Sequence, residues 1–91
     1  MDRERLVTEL DERFGGSDAA LRAVSRQARD LADSGRLESD LDIEVTVETV
    51  LSNLEDAPDD YTLVERWNWW IGSLELSHGG YQRFRVRPGI E

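Results

Sequence analysis

In the first 35 residues, apolar side chains recur every three or four positions, which is the spacing of one face of an α-helix. The first stripe ends at Gly15-Gly16 and consists of Leu6, Val7, Leu10 and Phe14. The second stripe follows a capping residue, Ser17 or Asp18, ends at Gly35 and consists of Leu21, Val24, Ala28 and Leu31. Glycine commonly follows the last turn of a helix, and Ser or Asp precedes the first turn. The pattern therefore predicts two consecutive amphipathic helices.

The spacing changes after these helices. The run LDIEVTVE, residues 41–48, alternates apolar and polar side chains, as a half-buried β-strand does. A second set overlaps it at helical spacing and consists of Val47, Val50, Leu51 and Leu54. A short strand at residues 41–45, followed by a helix that Thr46 caps and that extends to about Asp56, reconciles the two signals.

All three tryptophans lie in the run RWNWWIGSLELSHGG, residues 66–80. Ala57-Pro58 breaks the chain before it, and Asp59 or Asp60 is expected to cap the next helix. The apolar stripe of that helix consists of Leu63, Trp67, Trp70 and Leu74. The first and last tryptophans are therefore expected in the core.

The middle tryptophan, Trp69, points away from this stripe, because it lies about 200° around the helix from Trp67. Two interpretations stay open. Trp69 packs beneath the first helix, or it anchors a protein interface, as aromatic side chains outside a core often do. In the second interpretation the interface residues are Tyr61, Glu65, Trp69 and Leu76.

Two endings of the tryptophan helix are compatible with the sequence. The helix continues to Leu76 and a glycine cap, or it stops at Gly72 and a β-hairpin follows, with strands 73–77 and 81–87. The hairpin is favoured, because a three-residue loop separates apolar pairs from charged pairs across its strands.

These elements predict one small α+β domain, with four helices and an antiparallel sheet in the order α-α-β-α-α-β-β. Apart from the first helix, in residues 1–14, this order resembles a winged helix-turn-helix domain over residues 17–87, followed by a tail at 88–91. The alternative is a mainly α chain with a single C-terminal strand.

Charge indicates the environment of the protein. The chain has 20 acidic residues and 11 basic ones, all arginine, and its net charge is −9. This acid-rich, lysine-free composition resembles that of small cytoplasmic proteins of halophilic archaea. Salt screens the self-repulsion of such a chain. Without an apolar segment of signal-peptide or membrane-spanning length, the expectation is a halophilic, soluble, cytoplasmic protein that does not enter membranes.

Catalytic signatures are missing from the sequence. There is no nucleotide-binding glycine loop, no His-Glu metal motif and no cysteine. The only histidine, His78, is expected in a solvated turn. The acidic run EDAPDD, residues 55–60, lacks the spacing of a calcium loop and is interpreted as a helix-capping turn. The sequence therefore predicts a protein that is not an enzyme, with no catalytic residue, metal or cofactor.

The leading functional hypothesis is a protein–protein interaction module, self-associating as a homodimer through the aromatic face. The alternative is a winged-helix-type nucleic-acid-binding transcriptional regulator, which would use Arg66, Arg83, Arg85 and Arg87. Charge disfavours this alternative, since the carboxylates of Asp59, Asp60 and Glu65 would face the phosphates. Pairing of the last three arginines with acidic residues of the sheet is the simpler interpretation.

Overall fold

The computed structural model describes residues 1–87 and 89–90. This part of the chain forms five α-helices and one short 3-10 helix: α1 (Arg3–Phe14), α2 (Asp18–Ser34), α3 (Arg36–Leu41), α4 (Val47–Glu55), α5 (Leu63–His78) and the 3-10 helix Gln82–Phe84. No strand occurs in the described residues, so the predicted α+β class, its antiparallel sheet and the winged-helix-like order are wrong. The single C-terminal strand of the alternative fold is also not found there. Of the predicted tail 88–91, Pro88 and Glu91 lie outside the described residues.

The first two helices end where their apolar stripes predict. The Ser17 side chain caps α2 by accepting a hydrogen bond from the backbone N–H of Ala20, at 3.1 Å. Gly35 ends α2 with a φ of 67°, a left-handed conformation that glycine adopts without steric cost. The stripes of both helices are buried, apart from partly exposed Val7 and Phe14.

The segment predicted as strand 41–45 instead contains the end of α3 and an extended connection to α4. Leu37 and Leu41 lie four residues apart, the spacing of neighbours on a helix surface, and α3 contains both. Asp42 ends α3 with a φ of 57°, which Asp tolerates better than most residues. A lone strand leaves its backbone groups unpaired. Residues 81–87, which were expected to pair with it, pack against α5 and α2 instead, so no sheet forms here.

The two later helices are capped by threonines. Thr46 begins α4 as predicted, and its side chain accepts from the N–H of Thr49 at 3.1 Å. Helix α5 begins later than predicted, after Thr62 rather than Asp59 or Asp60. Thr62 and Glu65 form a capping box, in which each side chain bonds the backbone of the other residue.

Helix α5 continues to His78, so the predicted hairpin is wrong. Leu74 is 6% exposed and extends the buried stripe of the tryptophans, which stabilises the helix beyond Gly72. A Cβ atom at Gly72 would lie 3.0 Å from Nη2 of Arg85, so the glycine leaves room for this side chain. Gly79, with a φ of 72°, ends the helix.

Residues 81–87 pack against α5 and α2 as an irregular segment, in which Tyr81, Phe84 and Val86 are buried. Side chains satisfy its backbone. Oε1 of Glu75 accepts from the N–H groups of Tyr81 and Gln82, at 2.8 and 3.1 Å. The apolar alternation that suggested a strand therefore reflects burial along a helix surface.

Helix α5 lies between α2, α4 and the C-terminal segment, while α1 packs against α2 and α4. Two ion pairs connect α1 to α4 at the surface, Arg5 with Glu48 and Arg13 with Glu55. The hydrogen bond between Arg5 and Glu48 lowers the pKa of this carboxyl. Both pairs are half exposed, so water and salt screen them and they contribute little to stability. Apolar packing therefore supplies most of the stability of the α1–α4 contact.

Candidate protein interface

The run Trp67-Asn68-Trp69-Trp70 occupies four consecutive positions of α5, so its side chains point in four directions. Trp67 is fully buried and Trp70 is 4% exposed. Their rings meet edge to face, with centroids 5.4 Å apart and an interplanar angle of 83°. The prediction that these two tryptophans belong to the core is confirmed.

The first two residues of this run hold the C-terminal segment. Nε1 of Trp67 donates a hydrogen bond to the backbone carbonyl of Phe84 at 2.7 Å. The Asn68 amide bonds both backbone groups of Val86, donating to its carbonyl at 3.0 Å and accepting from its N–H at 2.9 Å. The sequence analysis missed this role of Asn68. The only sign of this role in the sequence was that a polar residue, Asn68, stands between two tryptophans and next to the buried face of the predicted helix.

Trp69 is 39% exposed and forms one wall of a groove of about 200 Å³. The other wall comes from the end of α3 and the connection after it, and the full lining is Leu37, Leu41, Ile43, Asn53, Trp69, Trp70, Ser73 and Leu74. The polar side chains in this lining bond their own helices, Asn53 to the carbonyl of Thr49 and Ser73 to that of Trp70. The groove therefore presents a mainly apolar surface.

Two residues of the groove, Leu41 and Ile43, were expected on the buried side of a strand. They are 36% and 41% exposed instead. Their position follows from the left-handed turn at Asp42, which ends α3 and redirects the chain past α5. Only the helical spacing of Leu37 and Leu41 signalled this arrangement in the sequence.

The other predicted interface residues lie along the same side of α5 or just before it. Leu76 is 91% exposed and lies seven residues after Trp69, which places it within about 20° of the same direction. Glu65 lies one turn before Trp69, where its carboxylate takes part in the capping box. Tyr61 is 36% exposed but precedes α5, and it does not line the groove. The structure thus brings Trp69 and Leu76 together on one face, with Glu65 and Tyr61 towards its N-terminal end.

The four arginines of the nucleic-acid alternative do not form one surface strip in the described residues. Arg66 donates to the carbonyls of Leu54, Asp59 and Tyr61 at 3.0–3.1 Å and stacks over the ring of Phe14 at 4.8 Å. It therefore holds the turn between α4 and α5. Arg83 stacks on Phe84, and Arg85 lies against Gly72. Arg87 is exposed, and residues 1–87 and 89–90 contain no strand that could form a wing beside it.

A buried tyrosine, Tyr81, joins α3 to the C-terminal segment. Its hydroxyl lies 2.8 Å from a carboxylate oxygen of Asp40, and the guanidinium of Arg36 stacks 5.5 Å from its ring centre. Burial, and then the hydrogen bond with Asp40, raises the pKa of Tyr81 to about 12. The tyrosine is therefore neutral at ordinary pH and serves as a packing and hydrogen-bonding residue.

In residues 1–87 and 89–90, no three His, Asp or Glu side chains lie close enough together to hold a metal ion. His78 ends α5, is exposed, and bonds the neighbouring Ser77 hydroxyl at 2.8 Å. None of the helices in this part of the chain has the length and apolar character needed to cross a membrane.

Fold and groove together define a small helical protein in which Trp67 and Trp70 are buried, Asn68 holds the C-terminal segment and Trp69 is exposed. A family model described as the WNWW domain matches residues 1–75, and the chain belongs to this family. Its description repeats the letters of residues 67–70, although the segment 81–87 that Trp67 and Asn68 hold lies beyond the matched range. Searches of curated proteins and of solved structures found no match.

Proposed function

We propose that this protein is a small interaction module without enzymatic activity, which self-associates through the face of α5 that carries Trp69 and Leu76. Tyr61 and Glu65 lie at the N-terminal end of this face. Among the tryptophans of the WNWW run, Trp69 alone is substantially exposed, and this observation carries the proposal.

The cost of exposing this face supports an interaction. Monomeric proteins rarely display contiguous apolar patches of more than a few hundred Å² unless the patch binds something. Trp69, Leu76, Leu41 and Ile43 are all exposed by more than a third, and they border one groove or continue its wall. Tryptophan is also among the residues that contribute most to binding at protein interfaces.

The nucleic-acid alternative stays a prediction, and no observation favours it over self-association. Arg66, one of the four arginines that would bind nucleic acid, donates its N–H groups to backbone carbonyls of its own chain instead. The wing that was to carry the other arginines is not part of the fold. The net charge of −9 also opposes approach to a polyanion.

The proposal is tested by measuring solution mass with light scattering over a range of protein concentrations in molar potassium chloride. We expect the wild type to form a dimer and Trp69→Ala to be a folded monomer. Trp70→Ala is the contrasting variant, because it empties a buried site and should lower the melting temperature instead. A wild type that stays monomeric at millimolar concentration would refute self-association.

A further inference from the structure

We propose that two copies of the chain bind each other reciprocally, with Leu76 of each copy inserted into the Trp69 groove of the other. This inference rests on the proposed function and specifies its contact. The two α5 helices would cross antiparallel, with a two-fold axis close to Gly72 and Ser73. The groove of each copy is thus occupied by Leu76 of a second copy of the chain.

The first argument is that Leu76 and Trp69, which forms one wall of the groove, lie on one face of α5. Leu76 is 91% exposed, and it follows Trp69 by seven residues, or roughly 10 Å along the helix. The groove volume is about 200 Å³, whereas a single water needs only roughly 10–15 Å³ by the same measure, so the groove has room for the four carbons of a leucine side chain. A surface that carries both parts of a contact can pair with itself about a two-fold axis, where residue i meets j and j meets i.

The second argument concerns the residues at the crossing point. Midway between Trp69 and Leu76 along α5 lie Gly72 and Ser73. Ser73 is exposed, whereas the Arg85 side chain lies over Gly72 at the edge of this face. A small exposed residue lets two helices approach closely, so that the larger residues on either side can interdigitate. Ser73 therefore suits an antiparallel two-fold contact in which Trp69 of each copy faces Leu76 of the other.

The third argument is the area available. The four exposed apolar side chains, Leu41, Ile43, Trp69 and Leu76, together present a patch of a few hundred Å² per copy. Doubled by symmetry and extended by a polar rim, this approaches the roughly 1,200 Å² of the smaller specific interfaces. The contact is therefore sufficient for a dimer of modest affinity.

Charge opposes the same contact and makes it dependent on salt. Each copy carries a net charge of −9. Arg85 lies against Gly72, so antiparallel pairing also brings two guanidinium groups to the same edge of the interface. Both repulsions are screened as the Debye length falls from about 10 Å at 0.1 M salt to about 3 Å at 1 M. Association should strengthen with salt.

The test uses three variants with the same change in charge. Leu76→Asp alters the residue that enters the groove, Ile43→Asp alters the rim of the groove, and Ala19→Asp alters an exposed residue of α2 outside the contact. We expect the first two to weaken dimerisation by at least about tenfold each and Ala19→Asp by less than about threefold, as measured by sedimentation in molar potassium chloride.

Mixing the variants tests reciprocity. An equimolar mixture of Leu76→Asp and Ile43→Arg can form a heterodimer in which one contact is intact and the other brings the introduced carboxylate beside the introduced guanidinium, whereas each homodimer has two altered contacts with like charges. The mixture should therefore dimerise more tightly than either variant alone. A mixture that behaves as the average of its parts would overturn the reciprocal contact.

Failure of this inference can be told apart from failure of the proposed function. If Trp69→Ala yields a monomer while Leu76→Asp and Ile43→Asp keep the wild-type mass, self-association stands and the reciprocal contact is wrong. If a further variant, Tyr61→Asp, dissociates the dimer while Leu76→Asp and Ile43→Asp do not, the contact lies at the N-terminal end of α5 instead. If the wild type is a monomer, both proposals are wrong.

Discussion

The Asn68 side chain bonds the backbone of Val86 in both directions, its Nδ2 donating to the carbonyl at 3.0 Å and its Oδ1 accepting from the N–H at 2.9 Å. This pairing imitates the hydrogen bonds of a neighbouring strand, although it comes from a helix. It explains how residues 81–87 remain ordered without a sheet, and it gives the second position of the WNWW run a structural role.

Asn68→Ala should release the C-terminal segment. Both backbone groups of Val86 would lose their partner, and the expected cost is about 1–3 kcal/mol of unfolding free energy. Hydrogen exchange at the Val86 amide should become faster, while exchange in α1 changes little. Asn68→Asp is the matched control, since it keeps an acceptor for the N–H and should protect this amide better than alanine does. Unchanged exchange in Asn68→Ala would contradict the assignment.

Tyr81 should make the protein sensitive to alkali. Its pKa is about 12 in the folded chain, against an ordinary value of 10.0. Because the folded state holds this proton more tightly than the unfolded state, the stabilisation is complete below pH 10 and is lost as the pH rises towards 12. The expected loss is roughly 2–3 kcal/mol over that range, measured by urea unfolding.

Tyr81→Phe is the control for this pH dependence. It should be less stable than the wild type at neutral pH by about 1 kcal/mol, because the hydrogen bond with Asp40 is missing. Its stability should then vary less between pH 10 and 12. Equal slopes in the two proteins would show that other groups cause the alkaline loss.

Salt should raise the free energy of unfolding. The repulsion among the carboxylates is screened by salt, and the two exposed ion pairs between α1 and α4 are too weak to reverse this effect. Asp60→Asn removes one carboxylate from the turn before α5 and should stabilise the protein at 0.1 M salt more than at 2 M. Stability that falls with added salt would show that ion pairs outweigh the repulsion.

Gly72→Ala should weaken dimerisation without lowering the free energy of unfolding. Alanine is favoured over glycine inside a helix by about 1 kcal/mol, and the Arg85 side chain in its way is flexible. We therefore expect a folded chain at least as stable as the wild type, but weaker dimerisation, because the methyl group displaces the Arg85 guanidinium towards the partner copy. Ser73→Ala should leave the solution mass unchanged. A destabilised Gly72→Ala chain would indicate that Arg85 cannot move.

Short-range signals predicted several elements correctly. Gly15-Gly16 and Gly35 ended the first two helices, Thr46 began the fourth, and the spacing of Trp67 and Trp70 placed both in the core. Each of these signals depends on a residue and its neighbours within about one or two helical turns. Signals of such short range could not show that Asn68 would bond the backbone of Val86, 18 residues further along the chain.

The predicted strands were wrong for the same reason: short-range signals do not show which distant segments lie side by side. Alternating apolar residues at 41–45 and 81–87 suggested strands, but a strand needs a partner, and alternation alone does not supply one. Continued burial at Leu74 extended α5 through residues 73–77 and removed the hairpin. Asn68, Trp67 and Glu75 then took over the hydrogen bonds that a sheet would have made.

By itself the sequence determined the apolar stripes of α1, α2, α4 and α5, the caps that begin α2 and α4, the two core tryptophans, the acidic charge and the fact that Trp69 faces away from the main stripe. These features follow from local periodicity and residue chemistry, which do not depend on the rest of the fold. The tertiary structure alone decided that Leu41, Ile43 and Trp69 share one groove and that Leu76 lies on the same face. Those relationships arise because packing places the end of α3 beside α5, and no local pattern encodes the distance between two elements so far apart in the chain.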